Sequence, residues 1–423
     1  MTLKALALRM GCVVLAVVPL GWCAGARPKE VAVQSAKAAN LVFSRPEVHS
    51  SQCPHASSAR SGRVAVPSRT YSTLEALASL GEGPFAGLPA RFLDLSPRGN
   101  QLIVERPGAQ SGFDVRRQSG ELILARKIVS AGSHALAEDD RFYVDGKGYK
   151  WSRETDTDYE PTLNPGGEAL ATAVLNGKIR AVVASPGGAL QHLPPEPDYT
   201  RAEMNRLSGG NAAMRVGWYF MAHEPGVAAI DASGQTVIAL PSGRLTVLLP
   251  EGTDQNEAVA ALDVSIEANA TDLSIVPPFV MVLYGGGDAG VLARRRSEAF
   301  PSGSRLDALR GDGSLAWSVR VPFLARQPPI DGNGRVYLVG LGVAAIDLEG
   351  KMLWLNPSPV PVRASAFADG TLALARGSEL QIMAPDGSVR QTLRAGEELT
   401  SFPAIGPDAS VWVASAKTLY VAR

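Results

Sequence analysis

The chain has 423 residues with 41 Lys and Arg against 41 Asp and Glu, so its formal net charge is zero and no bulk basic field draws it to nucleic acid or anionic lipid. Gly and Pro contribute 43 and 30 residues, a surplus over an average share of roughly 12%. With a hydrophobic share of 45%, that mixture predicts many short elements joined by turns, and it excludes long helical bundles and wholesale disorder.

Residues 1–26 read as a secretory signal peptide. Lys4 and Arg9 precede an apolar run from Met10 to Leu20 that is too short to span a bilayer, and Ala24-Gly25-Ala26 forms a small-x-small cleavage site before Arg27. The alternative is lipid attachment at Cys23. Leu20-Gly21-Trp22-Cys23 places Leu three residues before the Cys, as a bacterial lipobox does, although Trp22 stands where that signal needs a small residue. Cleavage after Ala26 removes two basic residues and leaves 39 against 41, a net charge of −2, with Cys53 as the last thiol, so no intramolecular disulfide can form. The chain has 9 Lys and 32 Arg, a bias typical of a GC-rich bacterial genome.

Residues 27–89 are rich in Ala, Ser, Arg and Pro and read as a flexible linker. Tyr71 to Leu80 is expected to form one short helix, and Arg63-Val64-Ala65-Val66 is a candidate closing strand for whatever follows. His49, Cys53 and His55 fall close together, but three ligands in an unstructured stretch make no metal site.

Residues 90–423 carry a repeat. Ala308-Leu309-Arg310 with Gly313 and Trp317 returns as Ala345-Ile346-Asp347 with Gly350 and Trp354, then as Ile382-Met383-Ala384 with Gly387 and Gln391, each copy 37 residues after the last (345 − 308 = 382 − 345 = 37). Alternating apolar strands precede each copy, and the chain stops within a fourth at Leu419-Tyr420-Val421. Earlier, Ala229-Ile230-Asp231 with Gly234 and Ile238 keeps the spacing, as does Val115 with Gly120 and Leu124 in part. Short strands and Asp/Gly turns at this period predict an all-β propeller of about eight four-stranded blades, with seven the alternative. The expected units are 91–128, 130–155, 161–193, 208–240, 274–319, 327–356 and 363–394, with a partial unit at 401–423 completed from the other chain end. Gly234 and Gly313 lie 79 residues apart with one good strand set between them, so an insertion is expected near 241–272.

The unit Ala345-x-Asp347-x-x-Gly350-x-x-x-Trp354 resembles the repeat of the pyrroloquinoline-quinone-like propellers, in which Ala, Asp, Gly and Trp recur near the end of each blade. Arg310 replaces the Asp in one copy and Ile238 the Trp in another. That superfamily contains quinone-dependent dehydrogenases and non-catalytic envelope scaffolds, among them the lipoprotein subunit of the outer-membrane β-barrel assembly machinery. The dehydrogenases clamp their cofactor with a disulfide between adjacent Cys residues and a carboxylate-bound Ca²⁺. No adjacent Cys pair and no C-x-x-C-H is present, which points to the non-catalytic branch and to no cofactor.

Other chemistry finds little support. The five His residues (His49, His55, His134, His192, His223) show no metal-ligand spacing within a unit. Glu154, Asp156, Asp158 and Glu160 alternate without the Gly and bidentate Glu of a calcium loop, and Asp331-Gly332-Asn333-Gly334 reads as a hairpin turn. Gly285-Gly286-Gly287 has no following Lys-Ser/Thr pair, and Arg294-Arg295-Arg296 is too small a cluster for nucleic acid. The expectation is an exported bacterial propeller, periplasmic or secreted, or lipid-anchored at the outer membrane through Cys23. It would bind or scaffold a protein or glycan partner of the cell envelope, with a quinone-dependent dehydrogenase-like enzyme as the alternative. Asp231, Gly234, Gly313, Trp317, Asp347, Gly350, Trp354 and Gly387 are expected to have structural roles in the repeat.

Overall fold

The computed structural model describes residues 41–44, 64–81, 84–86, 88–95, 101–106, 112–127, 135–136, 141–144, 147–150, 160–163, 168–175, 178–184, 189–193, 218–221, 226–250, 258–285 and 303–423. The candidate signal peptide with Cys23, the His49/Cys53/His55 group, Glu154, Asp156, Asp158 and Arg294-Arg295-Arg296 lie outside them.

The described residues form eight four-stranded antiparallel sheets. The first strand, β1, is Leu74–Ser79. Blade 1 follows with β2 (Phe92–Leu95), β3 (Gln101–Arg106), β4 (Gly112–Arg117) and β5 (Leu122–Lys127). Blade 2 has β6 (Ala135–Leu136), β7 (Arg141–Val144), β8 (Lys147–Lys150) and β9 (Glu160–Leu163); blade 3 has β10 (Glu168–Leu175), β11 (Lys178–Ala184), β12 (Ala189–Leu193) and β13 (Trp218–Met221). Blade 4 has β14 (Val227–Ile230), β15 (Thr236–Leu240), β16 (Arg244–Leu248) and β17 (Ala260–Ser265); blade 5 has β18 (Ala270–Val276), β19 (Phe279–Tyr284), β20 (Ser304–Leu309) and β21 (Leu315–Val321). Blade 6 has β22 (Ile330–Asp331), β23 (Arg335–Val339), β24 (Gly342–Asp347) and β25 (Met352–Pro357); blade 7 has β26 (Val362–Ala366), β27 (Leu372–Arg376), β28 (Glu379–Met383) and β29 (Val389–Arg394).

Blade 8 is made from both chain ends. Its order is β1, then β32 (Thr418–Ala422), β31 (Val411–Ala414) and β30 (Ala404–Ile405), so the N-terminal strand supplies the outermost position. First strands of neighbouring blades lie side by side, and β2 meets β30, which closes the ring and leaves no open sheet between first and last blades. The core sits between blade faces: Ile330, Val343, Ala364 and Leu372 of blades 6 and 7 form one fully or nearly fully buried cluster, and Leu93, Val104, Trp412 and Leu419 of blades 1 and 8 form another.

Three expectations are corrected. Tyr71 to Leu80 contains a strand, not a helix: Leu-Glu-Ala-Leu-Ala-Ser favours a helix by local propensity, but β32 offers an unpaired edge, and β1 pairs with it from Leu74↔Ala422 to Ser79↔Thr418 with one bulge. The closing strand is therefore β1 and not Val64–Val66. That stretch instead bonds to blade 7, with Val64 N–H donating to Ala366 O and Ala368 N–H to Val66 O. Finally, 241–272 holds no insertion in its described part. It contains the β15–β16 turn, β16, β17 and the start of β18. The 79-residue interval misled because Gly234 lies in the first hairpin of blade 4 and Gly313 in the last hairpin of blade 5. With that phase corrected, Trp218–Met221, inside the expected unit 208–240, is the last strand of blade 3.

Candidate interaction surface

The repeat positions act between blades. Asp347 Oδ1 accepts from Glu349 N (3.1 Å) and Lys351 N (2.7 Å), an Asx turn joining the third and fourth strands of blade 6. Gly350 follows at φ 87°, and a Cβ built there would lie 2.6 Å from Trp317 Cγ of blade 5. Gly is required twice over, by the left-handed backbone and by the indole pressed against it. Trp317 completes the lock by donating Nε1–H to Leu348 O (2.7 Å). One blade further on, Trp354 donates to Pro385 O (2.8 Å), and a Cβ on Gly387 would lie 2.9 Å from the ring. Each Trp thus packs on the Gly turn of the next blade. A second aromatic supports each one: Phe279 meets Trp317 edge-on at 6.2 Å, and Tyr337 meets Trp354 at 5.8 Å.

Asp231 and Gly234 share the local turn chemistry but sit between β14 and β15, the first hairpin of a blade. Asp231 Oδ1 accepts from Ser233 N (2.9 Å), Ser233 Oγ (2.6 Å) and Gln235 N (2.9 Å). Against Gly313 stands Val264, whose Cγ1 would be 2.6 Å from a Cβ there, in the role that Trp317 plays against Gly350.

Gln391, in the Trp position of blade 7, does something different. Its Oε1 accepts from Tyr71 N (3.0 Å) and its Nε2 donates to Tyr71 O, so one side-chain amide pairs with the backbone of the residue that leads into β1. Tyr71 is 2% exposed, its hydroxyl donates to Ala409 O (2.7 Å), and burial raises its pKa above the ordinary phenol value. Beyond β1, Arg106, fully buried, donates to Leu80 O (2.9 Å), Phe85 O (2.8 Å) and Asp114. The same Asp114 also receives Arg116. Burial lowers the Arg106 pKa, and Asp114 opposes that shift.

The inner ends of four consecutive blades carry a polar pattern that the repeat also spaces. Arg326, Arg363 and Thr400 are 37 apart in turn (363 − 326 = 400 − 363 = 37). Arg326 N–H donates to Val339 O (2.8 Å), Arg363 pairs with Ala375, Thr400 N–H donates to Ala414 O (2.8 Å) and Arg91 N–H donates to Glu105 O (2.9 Å). All four therefore stand where the innermost strands of blades 6, 7, 8 and 1 begin, at one mouth of the axis. Arg363 is half-buried, with Nη1 donating to Leu399 O (3.5 Å). Burial lowers its pKa, Glu398 raises it and the like charge of Arg326 lowers it again. Arg91 lies 5.3 Å over the ring of Phe92, which stacks on Phe402 at 5.4 Å. Gln327 fixes the geometry beneath: its amide donates to Ala364 O (3.1 Å) and accepts from Ala364 N (3.0 Å). The sequence reading missed this Arg pair, although the 37-residue period, applied to polar positions, contains it.

Among the described residues no group of three or more His, Cys, Asp or Glu stands where it could hold a metal ion, and no helix is long and apolar enough to cross a membrane. No family model and no curated protein matches the chain. Solved structures do. BamB from Moraxella catarrhalis superposes with a TM-score of 0.52 at 11% identity, covering 83% of this chain and 100% of that one. The C-terminal WD40 domain of Sif2 gives 0.55 at 12%, covering 84% and 99%, and the Dos1 propeller gives 0.52 at 10%, covering 84% and 94%. At these identities the likeness shows the β-propeller fold and nothing further.

Proposed function

We propose that this propeller belongs to the non-catalytic branch of the pyrroloquinoline-quinone-like repeat family and works as an exported binding or scaffolding module of the bacterial cell envelope, capturing a protein or glycan partner. The observation that carries the reading is the pair Arg326 and Arg363 at the starts of the innermost strands of blades 6 and 7, close enough that the charge of one lowers the pKa of the other, on a chain whose net charge is zero. Planar forks at the rim of a rigid ring suit carboxylates of an acidic peptide or an acidic glycan. The resemblance of the 345–354 unit to that repeat family supports an envelope setting, and the apolar run before Ala24-Gly25-Ala26 supports export.

The test is capture from envelope extract by the mature chain and by its Arg326→Glu/Arg363→Glu variant, with bound species identified by mass. A partner held by the first and lost by the second, at unchanged melting temperature, supports the reading. Equal capture by both removes the mouth from it. Turnover of an alcohol or sugar with a redox dye, appearing only after quinone and Ca²⁺ are added, replaces the scaffold with the dehydrogenase-like enzyme. Intact mass of the purified N-terminus separates cleavage after Ala26 from lipidation of Cys23.

A further inference from the structure

The groove between blades 4 and 5 differs from its neighbours. The interfaces between blades 5 and 6 and between blades 6 and 7 are each filled by two aromatics of their own blades, Phe279 with Trp317 and Tyr337 with Trp354. Blade 4 has no aromatic residue in any of its four strands, and Val264 stands where a Trp would pack. The missing ring comes from elsewhere in the chain. Phe43, 4% exposed, joins Leu245, Leu262, Ile275 and Leu309 in the core cluster between these blades.

The segment that delivers Phe43 is read at each of its four residues. Leu41 N–H donates to Gly311 O (3.2 Å), and a Cβ on Gly311 would lie 1.9 Å from Leu41 O, so the groove floor admits the peptide backbone only because position 311 is Gly. Val42 points outward, 81% exposed, while its carbonyl accepts from Gln235 Nε2 (3.4 Å). Ser44 donates through both N–H and Oγ to Asp231 Oδ2 (3.3 Å each), and its carbonyl accepts from Ala232 N (3.5 Å). Asp231 is fully buried and uses its other oxygen to hold its own turn. The bonds to the segment are long, one ring supplies the apolar anchor, and Val42 turns outward while Phe43 and Ser44 face in. This is the manner in which a groove holds an extended peptide, with backbone bonds setting the register and one pocket setting the identity.

We infer that this groove is a recognition site for an extended segment of pattern aliphatic-x-Phe-Ser, that Leu41–Ser44 is its built-in occupant, and that a partner protein bearing the same pattern displaces that occupant. The chemistry defines the partner. The pocket takes an aromatic ring, the exposed second position is unrestricted, and Asp231 Oδ2, which also accepts from Gln235 Nε2 and the segment's own N–H, accepts a hydroxyl at the fourth, so Ser or Thr is accommodated while an acidic or phosphorylated residue is repelled. The inference deepens the binding-module reading and rests on it for the existence of a partner. It places that partner's contact at the groove and not at the arginine mouth, so the two can fail separately.

The experiment uses the full chain and a fluorescein-labelled peptide of residues 37–48, followed by anisotropy. The tethered segment competes at an effective concentration of order millimolar, so the peptide should bind the Phe43→Ser chain at least tenfold more tightly than wild type. Peptides with Phe43→Ala or Ser44→Glu should lose that binding, and Ser44→Thr should keep it. Equal binding to both chains, or none to a Phe43→Ser chain that keeps its β-type circular dichroism and cooperative melt, overturns the inference. Should that variant fail to fold, hydrogen exchange on the wild-type chain decides. Excess peptide should speed exchange of the Leu41 and Ser44 amides while blade amides stay protected, and no change in those two amides overturns it.

Discussion

Two glycines with nearly the same backbone separate the conformational from the packing role of the repeat. Gly334 (φ 90°) and Gly350 (φ 87°) both lie in hairpin turns, but a Cβ on Gly334 meets nothing within 4 Å, whereas one on Gly350 meets Trp317 at 2.6 Å. Gly334→Ala should therefore cost only the left-handed penalty, about 1–2 kcal/mol. Gly350→Ala should add an overpacking cost of about 1–3 kcal/mol as the indole is pushed aside, for a total of about 2–5 kcal/mol. Residues 74–423 number 350 (423 − 74 + 1). At an unfolding entropy of roughly 2.1 cal/mol/K per residue, 1 kcal/mol then moves the melting temperature by about 1.4 °C. The expected shifts are about 1.5–3 °C for Gly334→Ala and about 3–7 °C for Gly350→Ala by differential scanning calorimetry. In the double variant Gly350→Ala/Trp317→Ala the overpacking cost disappears, so the combined loss should fall short of the sum of the singles by about 1–3 kcal/mol. Equal shifts for the two glycines, or strict additivity in the double variant, would refute the account of the Gly as a seat for the previous blade's Trp.

Arg106→Ala should cost about 3–5 kcal/mol in urea unfolding, because it removes one side of a fully buried ion pair, takes the Arg106 bond from Leu80 O and leaves Asp114 to Arg116, and Arg106→Lys should not restore the loss since one ammonium cannot reproduce the fork. Tyr337 and Tyr284 are pushed up to about 12, chiefly by burial, from 10.0. The stability they contribute is thus fully present below pH 10 and lost as pH rises through about 12. Ultraviolet titration should show these phenols ionising only as the fold is lost, and Tyr337→Phe should flatten the alkaline fall. At the acid end, burial alone would raise Asp369, but hydrogen bonds from Ser68 and Thr371 outweigh it and lower its pKa. Its contribution is present above the ordinary carboxylate pKa and lost as pH falls through the lowered one, so Ser68→Ala should shrink the acid-limb slope of a stability-against-pH curve.

The architecture was legible where side chains repeat. Period and turn residues around Gly313, Gly350 and Gly387 mark successive last hairpins because each blade needs the same left-handed turn under a side chain of the previous blade, Val264 at the first and Trp317 and Trp354 at the others. The reading failed where that logic is shared by two different hairpins. Asp231 and Gly234 make the same Asx turn between first and second strands, so the spacing alone misassigned the phase and created an apparent insertion at 241–272. It failed again at Leu74–Ser79, where a strand is dictated by the free edge of β32, hundreds of residues away, against helix-forming composition. Arg326 and Arg363 keep the 37-residue period but gave no sign of a shared place, because a single Arg per blade gains meaning only when strand order sets consecutive blades side by side. The groove segment Leu41–Ser44 was hidden for a related reason: its partners, Asp231 and Gly311, are distant in sequence.

Gln391 shows why a departure from the repeat can be a requirement and not decay. In blades 5 and 6 the Trp at this position packs on the turn Gly of the next blade. Blade 8 has no such turn, since its third strand, β32, is followed in the sheet by β1, which begins at Leu74, with Ser72 N–H donating to Arg423 O between them. A Trp at 391 would face an incoming extended chain, which offers an N–H and a carbonyl in place of a glycine. A primary amide presents one acceptor and one donor and satisfies both, on Tyr71. Gln391→Trp, although it restores the repeat pattern, should therefore destabilise the protein by about 1–3 kcal/mol, two hydrogen bonds at about 0.5–1.5 kcal/mol each. It should also speed hydrogen exchange in β1 before that in β31. Urea midpoints at constant slope measure the first and amide exchange the second. A more stable Gln391→Trp chain would mean that the seam is held by apolar packing and not by the amide clamp.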